Sequence, residues 1–193
     1  MTAGRQINSN SQDWCTPPKY VDAVKYFLGQ IDLDPCSNKK SIVNAKTEYT
    51  LPEIDGLKAS WDFKTIYVNP PYGIDKQRKT SIRHWIKKCA ETNNLHRSEV
   101  LALIPVAVNT RHWKQYIFGK ASNVCFLADT RLKFINGSHD KGAPMACAII
   151  YWGEDSKKFY SHFSKYGAVI NINDLKEKKW ISPDLIQGGL FEQ

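Results

Sequence analysis

Asn69-Pro70-Pro71-Tyr72 follows directly on Thr65-Ile66-Tyr67-Val68, a β-branched and aromatic run that reads as a strand. The residue types in this loop suit methyl transfer to a planar amino nitrogen. Such a nitrogen, the exocyclic amine of adenine for example, is a poor nucleophile because its lone pair is delocalised into the ring. Two acceptors aimed at its two N–H bonds favour the tetrahedral geometry in which the lone pair projects, and they hold the nitrogen in line with the methyl donor. The side-chain oxygen of Asn69 can be one acceptor and the backbone oxygen of Pro70 the other. Pro70 and Pro71 each push the preceding residue to extended backbone angles and have no N–H of their own, so the pair is rigid. Tyr72 offers a flat face on which a base can stack. No general base is required, because a methylated amine is acidic enough to lose its proton to water. Alone, the tetrapeptide also fits a rigid turn at a strand end.

The elements that must position this loop follow a βα rhythm. Thr16 has the chemistry of a helix N-cap, with Pro17 and Pro18 at the first helical positions. Val21, Val24, Phe27 and Leu28 follow at helical spacing, and Gly29 suits a stop. Gln30 to Asp34 alternates apolar and acidic residues and ends at Pro35, predicting a short strand. Residues 38–60 read as irregular. Ile82, Trp85, Ile86, Cys89 and Ala90 define the cleanest helix, and Val100 to Val106 reads as a strand buried on both faces. Trp113, Tyr116 and Ile117 mark a further helix, and Val124 to Leu127 a strand. Arg131–Ile135 and Met145–Trp152 are expected to pair across a loop containing the turn signal Asn136-Gly137. Phe159, Phe163 and Tyr166 predict a last helix, and Ala168 to Ile172 a last strand. Strands alternating with helices predict an α/β sheet of largely parallel strands, with an antiparallel element near its end.

The totals agree with that class. The chain has 193 residues, 42% of them hydrophobic and 12% aromatic, enough for one domain with a core. A flexible arm is expected over 1–13, a single domain over 14–172, and a tail over 173–193. No apolar run approaches the length of a membrane span, and the polar start lacks the apolar region of a secretory signal, so a cytoplasmic protein is expected. The five cysteines are scattered without a C-x-x-C pair, which suits reduced core thiols; a reactive Cys36 is the alternative. The five histidines show no metal spacing. A formal charge of +8 favours a polyanionic partner.

Four ordered segments make the chain resemble the phage-type DNA N-6-adenine methyltransferases, the Dam-like family. They are Trp14-Cys15-Thr16-Pro17, Asp32-Leu33-Asp34-Pro35-Cys36-Ser37-Asn38, Asp55-Gly56-Leu57 through Trp61, and Tyr67-Val68-Asn69-Pro70-Pro71-Tyr72-Gly73, followed later by Ala143-Pro144-Met145. The resemblance extends from about Asp13 to about Trp152. It implies a Rossmann-like fold, S-adenosylmethionine as cofactor, DNA as partner, and Asn69, Pro70, Pro71 and Tyr72 as catalytic residues. It also implies cofactor contacts from Trp14, Thr16 and Pro17. Asp34, Pro35, Ser37 and Asn38, in the loop after the first strand, occupy the place where a doubly wound fold receives its cofactor. No glycine-rich cofactor loop is present, and only about thirty residues separate Asp34 from Asn69, too few for two full βα units, so a reduced sheet is expected. Asp55 and Asp62 are candidates for an acid on the cofactor ribose.

For DNA, Lys76, Arg78 and Lys79 just after the loop, with Arg83 on the following helix, form a candidate phosphate-binding face. Arg131 and Lys133, in the long polar excursion, are candidates for further contacts. Two rival readings remain at this level: methylation of RNA or of a protein glutamine amide, and a nucleic-acid-binding module without turnover.

Overall fold

Seven strands form one sheet in the computed structural model, which describes residues 15–129, 132–136, 139–143 and 145–175. Three are near the front of the chain: β1 (Leu33–Asp34), β2 (Thr47–Glu48) and β3 (Thr65–Val68). A two-stranded hairpin, β4 (Ile74–Asp75) with β5 (Thr80–Ser81), lies outside the sheet. β6 (Glu99–Pro105) and β7 (Asn123–Leu127) return to it. A second hairpin, β8 (Lys133–Asn136) with β9 (His139–Gly142), is again separate, and β10 (Cys147–Trp152) and β11 (Gly167–Asn171) complete the sheet. Its order is β11-β7-β10-β6-β3-β1-β2. The pairs among β2, β1, β3 and β6 are parallel; β10 is antiparallel to β6 and β7, and β11 to β7. Five strands therefore point one way and two, β10 and β11, the other.

Side-chain alternation along the strands builds two cores. Tyr67, Leu101, Leu103, Ile149 and Tyr151 face α1 (Pro18–Leu28) and α3 (Ser156–Phe163). Their neighbours Ile66, Val68, Val100, Ala102, Ile104, Ile150 and Trp152 face α2 (Ile82–His96) and a π-helical turn at Trp113–Ile117. Opposite faces must alternate at period two, and here both are apolar, so the central strands read as unbroken apolar runs.

Several expectations are corrected. The excursion after β7 does not pair with β10: β8 pairs with β9, in register from Lys133↔Gly142 to Asn136↔His139. β10, buried at all six positions, instead inserts between β6 and β7, where both of its faces are covered. Thr16 is not the N-cap of α1; Pro17 is, with Pro18 first in the helix, and the Thr16 hydroxyl bonds elsewhere. Gly29 ends α1 at φ 75°, a left-handed angle that glycine adopts without strain. The expected economy does not reduce the strand count. It removes helices: the connections from β1 to β2 and from β2 to β3 contain none, and β1 and β2 are two residues each. Trp14, Arg131, Pro144 and the segments 1–13 and 176–193 lie outside the described residues.

This order places a switch between β1 and β3. The chain leaves β1 outward to β2, then returns past β1 to β3, and leaves β3 in the opposite direction toward β6. Loops that diverge from adjacent parallel strands open a crevice at their C-terminal ends.

Candidate active site

A cavity of about 310 Å³ occupies that crevice, within the range of small-molecule sites. The loop after β1, Asp34 to Lys39, forms one wall, and the loop after β3, Asn69 to Ile74, forms another. Cys15 and Thr16 enter from the segment before α1, and Phe134 and Gly142 from the β8–β9 hairpin. That hairpin is fastened to the N-terminal segment by two backbone bonds between Cys15 and Ile135, of 2.8 and 3.1 Å.

Asn69 is held by its amide end. Its Nδ2 donates to Thr16 Oγ1 at 3.0 Å, and Thr16 Oγ1 lies 2.8 Å from the Tyr67 hydroxyl. Burial pushes the Tyr67 phenol well above its usual range, so it stays protonated, and Thr16 is its hydrogen-bond partner. With Nδ2 turned to Thr16, Asn69 Oδ1 is left for the cavity and accepts from no described side chain or backbone group. The Pro70 carbonyl likewise receives no N–H among the described residues. These are the two acceptors the sequence anticipates at this loop.

Tyr72 is fixed at both ends. Its hydroxyl donates to the Leu103 carbonyl at 3.3 Å, and its ring meets Phe134 edge-on, with centroids 5.5 Å apart at 81°. Burial raises its phenol too, so it remains neutral.

On the opposite wall Asp34 ends β1 fully inside the protein. Burial is the main cause that lifts its carboxyl to about 7; the Cys36 N–H, donating to Oδ1 at 3.1 Å, opposes it, and neighbouring Glu48 adds to the rise. Ser37 Oγ is buried and makes no hydrogen bond to a described residue, although it stands near enough to Asp34 to stabilise the carboxylate. Asn38 Oδ1 accepts from the Lys40 N–H at 2.9 Å. Cys36 is a neutral thiol, raised by burial and by Asp34, which argues against the reactive alternative. None of the five cysteines is in a disulfide.

The segment Asp55 to Trp61 buttresses this wall from behind. A Cβ on Gly56 would lie 1.8 Å from the Pro35 carbonyl oxygen, so only glycine lets the two loops touch. Trp61 Nε1 donates to the Gly56 carbonyl at 2.8 Å, and Lys88 on α2 donates to the carbonyls of Gly56, Leu57 and Ala59 at 3.1, 2.8 and 2.5 Å. Lys88 is a structural hub that periodicity conceals, since a lysine on an amphipathic helix reads as solvated. Asp55 is engaged by Arg78 and caps the Leu57 N–H, and Asp62 sits with His96 at 3.2 Å, so neither candidate acid reaches the cavity. Glu48, at the end of β2 and in register with Asp34, raises the Asp34 carboxyl but likewise does not line the cavity, and sequence reasoning missed it. A two-residue strand gives no periodic signal that would have exposed it.

The basic residues divide. Arg78 is clamped between Asp75 Oδ2 at 2.8 Å and Asp55 Oδ1 at 3.1 Å, and holds the β4–β5 hairpin to the Asp55 turn. Lys76, Lys79 and Arg83 are exposed and pair with no carboxylate among the described residues. Lys133 is exposed at the start of β8. Among the described residues no group of three or more metal-ligating side chains occurs, and no helix is long and apolar enough to cross a membrane.

The family model described as DNA N-6-adenine-methyltransferase (Dam) matches residues 4–180. A curated relative, the DNA N-6-adenine-methyltransferase of Haemophilus phage HP1 (strain HP1c1), is 26% identical over 184 residues, covering 92% of this chain and 97% of its own. No solved structure matches.

Proposed function

The chain belongs to the DNA N-6-adenine-methyltransferase (Dam) family, and on that premise we propose how its site methylates the exocyclic amine of adenine in DNA. The carrying observation is the pair of unengaged acceptors, Asn69 Oδ1 and the Pro70 carbonyl, at the mouth of the crevice. They accept from the two N–H bonds of the adenine amine and turn its lone pair toward the opposite wall. Pro71 keeps the loop extended, and the Tyr72 ring, fixed by Leu103 and Phe134, supports the extruded base. The proton released after transfer leaves to water.

We read the fold as Rossmann-like, supported by the crevice at the switch between β1 and β3. S-adenosylmethionine fits the β1 wall, which offers a buried acid and a buried hydroxyl that no described residue engages, both suited to a polar, cationic ligand. When bound, this cofactor supplies an electrophilic methyl group on a sulfonium. Asp34, Pro35, Ser37, Asn38 and Thr16, which line the cavity, are the residues that would hold it. Lys76, Lys79, Arg83 and Lys133 are assigned to DNA phosphates, and Arg78 to holding the hairpin that presents two of them. The cytoplasm, where DNA and cofactor meet, is the proposed site of action.

Transfer of labelled methyl groups to unmethylated DNA, RNA and protein tests this reading. The label is expected in DNA as N6-methyladenine, with Asn69→Ala at least about a hundredfold slower, the scale seen when a positioned transition-state hydrogen bond is removed. Label confined to RNA or protein overturns the substrate, and an undiminished Asn69→Ala overturns the mechanism.

A further inference from the structure

Ile74 is 76% exposed although it follows the catalytic loop directly and lines the rim of the cavity. A single exposed isoleucine is ordinary on a protein surface. This one differs in its setting. The rest of its hairpin, Asp75 to Ser81, contains only polar and charged residues. The hairpin is also unable to tuck the side chain away. Ile74 is paired with Ser81, the residue before α2, and Asp75 is tied through Arg78 to Asp55 on the cofactor side of the site. Strand alternation then turns Asp75 inward to Arg78 and Ile74 outward. Lys76 and Lys79 stand exposed at the tip of the same hairpin.

A base drawn out of a duplex leaves an unfilled step in the stack, and an apolar side chain inserted there offsets part of the lost stacking. We propose that Ile74 is the wedge that enters the duplex beside the target adenine and fills the space the extruded base vacates, with Lys76 and Lys79 on flanking phosphates. This rests on the reading of the site as one that methylates adenine in DNA. The rigid ion-pair anchor matters here, because a wedge on a yielding hairpin would be displaced by the stack instead of opening it.

The test compares wild type, Ile74→Ser and Ile74→Leu on three forms of one DNA sequence that the wild type methylates. These are a fully paired duplex, the same duplex with the target adenine opposite an abasic site, and the single strand. Ile74→Ser is expected to lose about tenfold or more in kcat/KM on the paired duplex and to stay within about twofold of wild type on the other two forms, where little stacking and pairing must be broken. Ile74→Leu is expected to recover most of the duplex activity. Equal losses on all three forms, no loss on the duplex, or a wild type confined to single strands each overturn the wedge. A wild type inactive on every adenine substrate overturns the functional reading, and the wedge with it.

Discussion

Thr16 shows how one hydroxyl can decide the chemistry of another residue. An asparagine offers its site either a carbonyl or an amide edge, and only the carbonyl edge can accept from a substrate amine. By engaging Nδ2, Thr16 leaves Oδ1 to the cavity. Thr16→Val is therefore expected to lower kcat roughly tenfold to a hundredfold, the scale of one unsatisfied or misdirected hydrogen bond, with a smaller change in KM for the cofactor. Thr16→Ser should restore kcat. A rise in cofactor KM alone, with kcat intact, would count against the positioning role. Asp34 makes a second prediction at this scale, in pH. Its carboxyl, lifted to about 7 by burial, is protonated below that value in the ligand-free protein and ionised above it. A cationic cofactor requires the ionised form, so affinity should rise with pH up to about 7 and level off above. Below 7 it should fall by about tenfold per pH unit, since one proton must leave on binding. Calorimetric titration across that range checks this, and Asp34→Asn should bind weakly and without the pH slope. A wild-type affinity flat from pH 5.5 to 8, on the order of the range where such a group titrates, would refute it.

At the scale of elements, the cofactor wall lacks the helices that ordinarily brace parallel strands, and the Asp55 to Trp61 segment takes their place. Gly56 against Pro35, Trp61 on the Gly56 carbonyl and Lys88 on three carbonyls do the bracing. Gly56→Ala should thus separate the two loops, destabilising the protein by about 1–3 kcal/mol, as overpacked sites do, and weakening cofactor binding together with stability. Thermal melting with and without cofactor measures both; unchanged values would mean the loops do not bear on each other. The same wall marks the limit of what the sequence disclosed. α2 was legible because its apolar positions repeat at the helical period, and β3 and β6 because each is an unbroken β-branched, aromatic or apolar run. β2 was not, being two residues long, and Glu48 was hidden with it. The antiparallel insertion of β10 was not legible either, because an apolar strand buried on both faces shows no preference for one neighbour over another. The loop from Asn69 to Tyr72 was read from its residue types and the loop from Asp34 to Asn38 from its place after the first strand, and both line one cavity, whereas Arg78 read as a phosphate ligand because one of its two carboxylate partners, Asp55, lies 23 positions away.

For the molecule as a whole, a charge of +8 says less than where the unpaired part of it sits. Lys19, Lys46 and Lys87 are matched by Asp129, Asp32 and Glu91, and Arg78 by two aspartates. Lys76, Lys79 and Arg83, without such partners among the described residues, gather where the catalytic loop runs into the β4–β5 hairpin and α2. A polyanion seated at the crevice therefore meets uncompensated charge beside it, which favours the orientation that brings a base to Tyr72; Arg97, Lys114 and Lys157, on other elements, likewise pair with no carboxylate among the described residues. Each phosphate that a lysine neutralises releases condensed counterions, so the slope of log affinity against log salt reports how many phosphates are engaged. Replacing Lys76 and Lys79 together by alanine should reduce the magnitude of that slope by about 1.8 on duplex DNA, or about 0.9 for each phosphate no longer neutralised, and weaken binding evenly across DNA sequences. Lys157→Ala, on α3 beside the far edge of the sheet, should leave the slope unchanged. Anisotropy titrations of a labelled duplex between roughly 50 and 200 mM salt give both slopes. If the lysines at the hairpin tip are bystanders, the double variant and Lys157→Ala will fall on the wild-type line together; if they grip the backbone on either side of the target adenine, only the double variant will leave it.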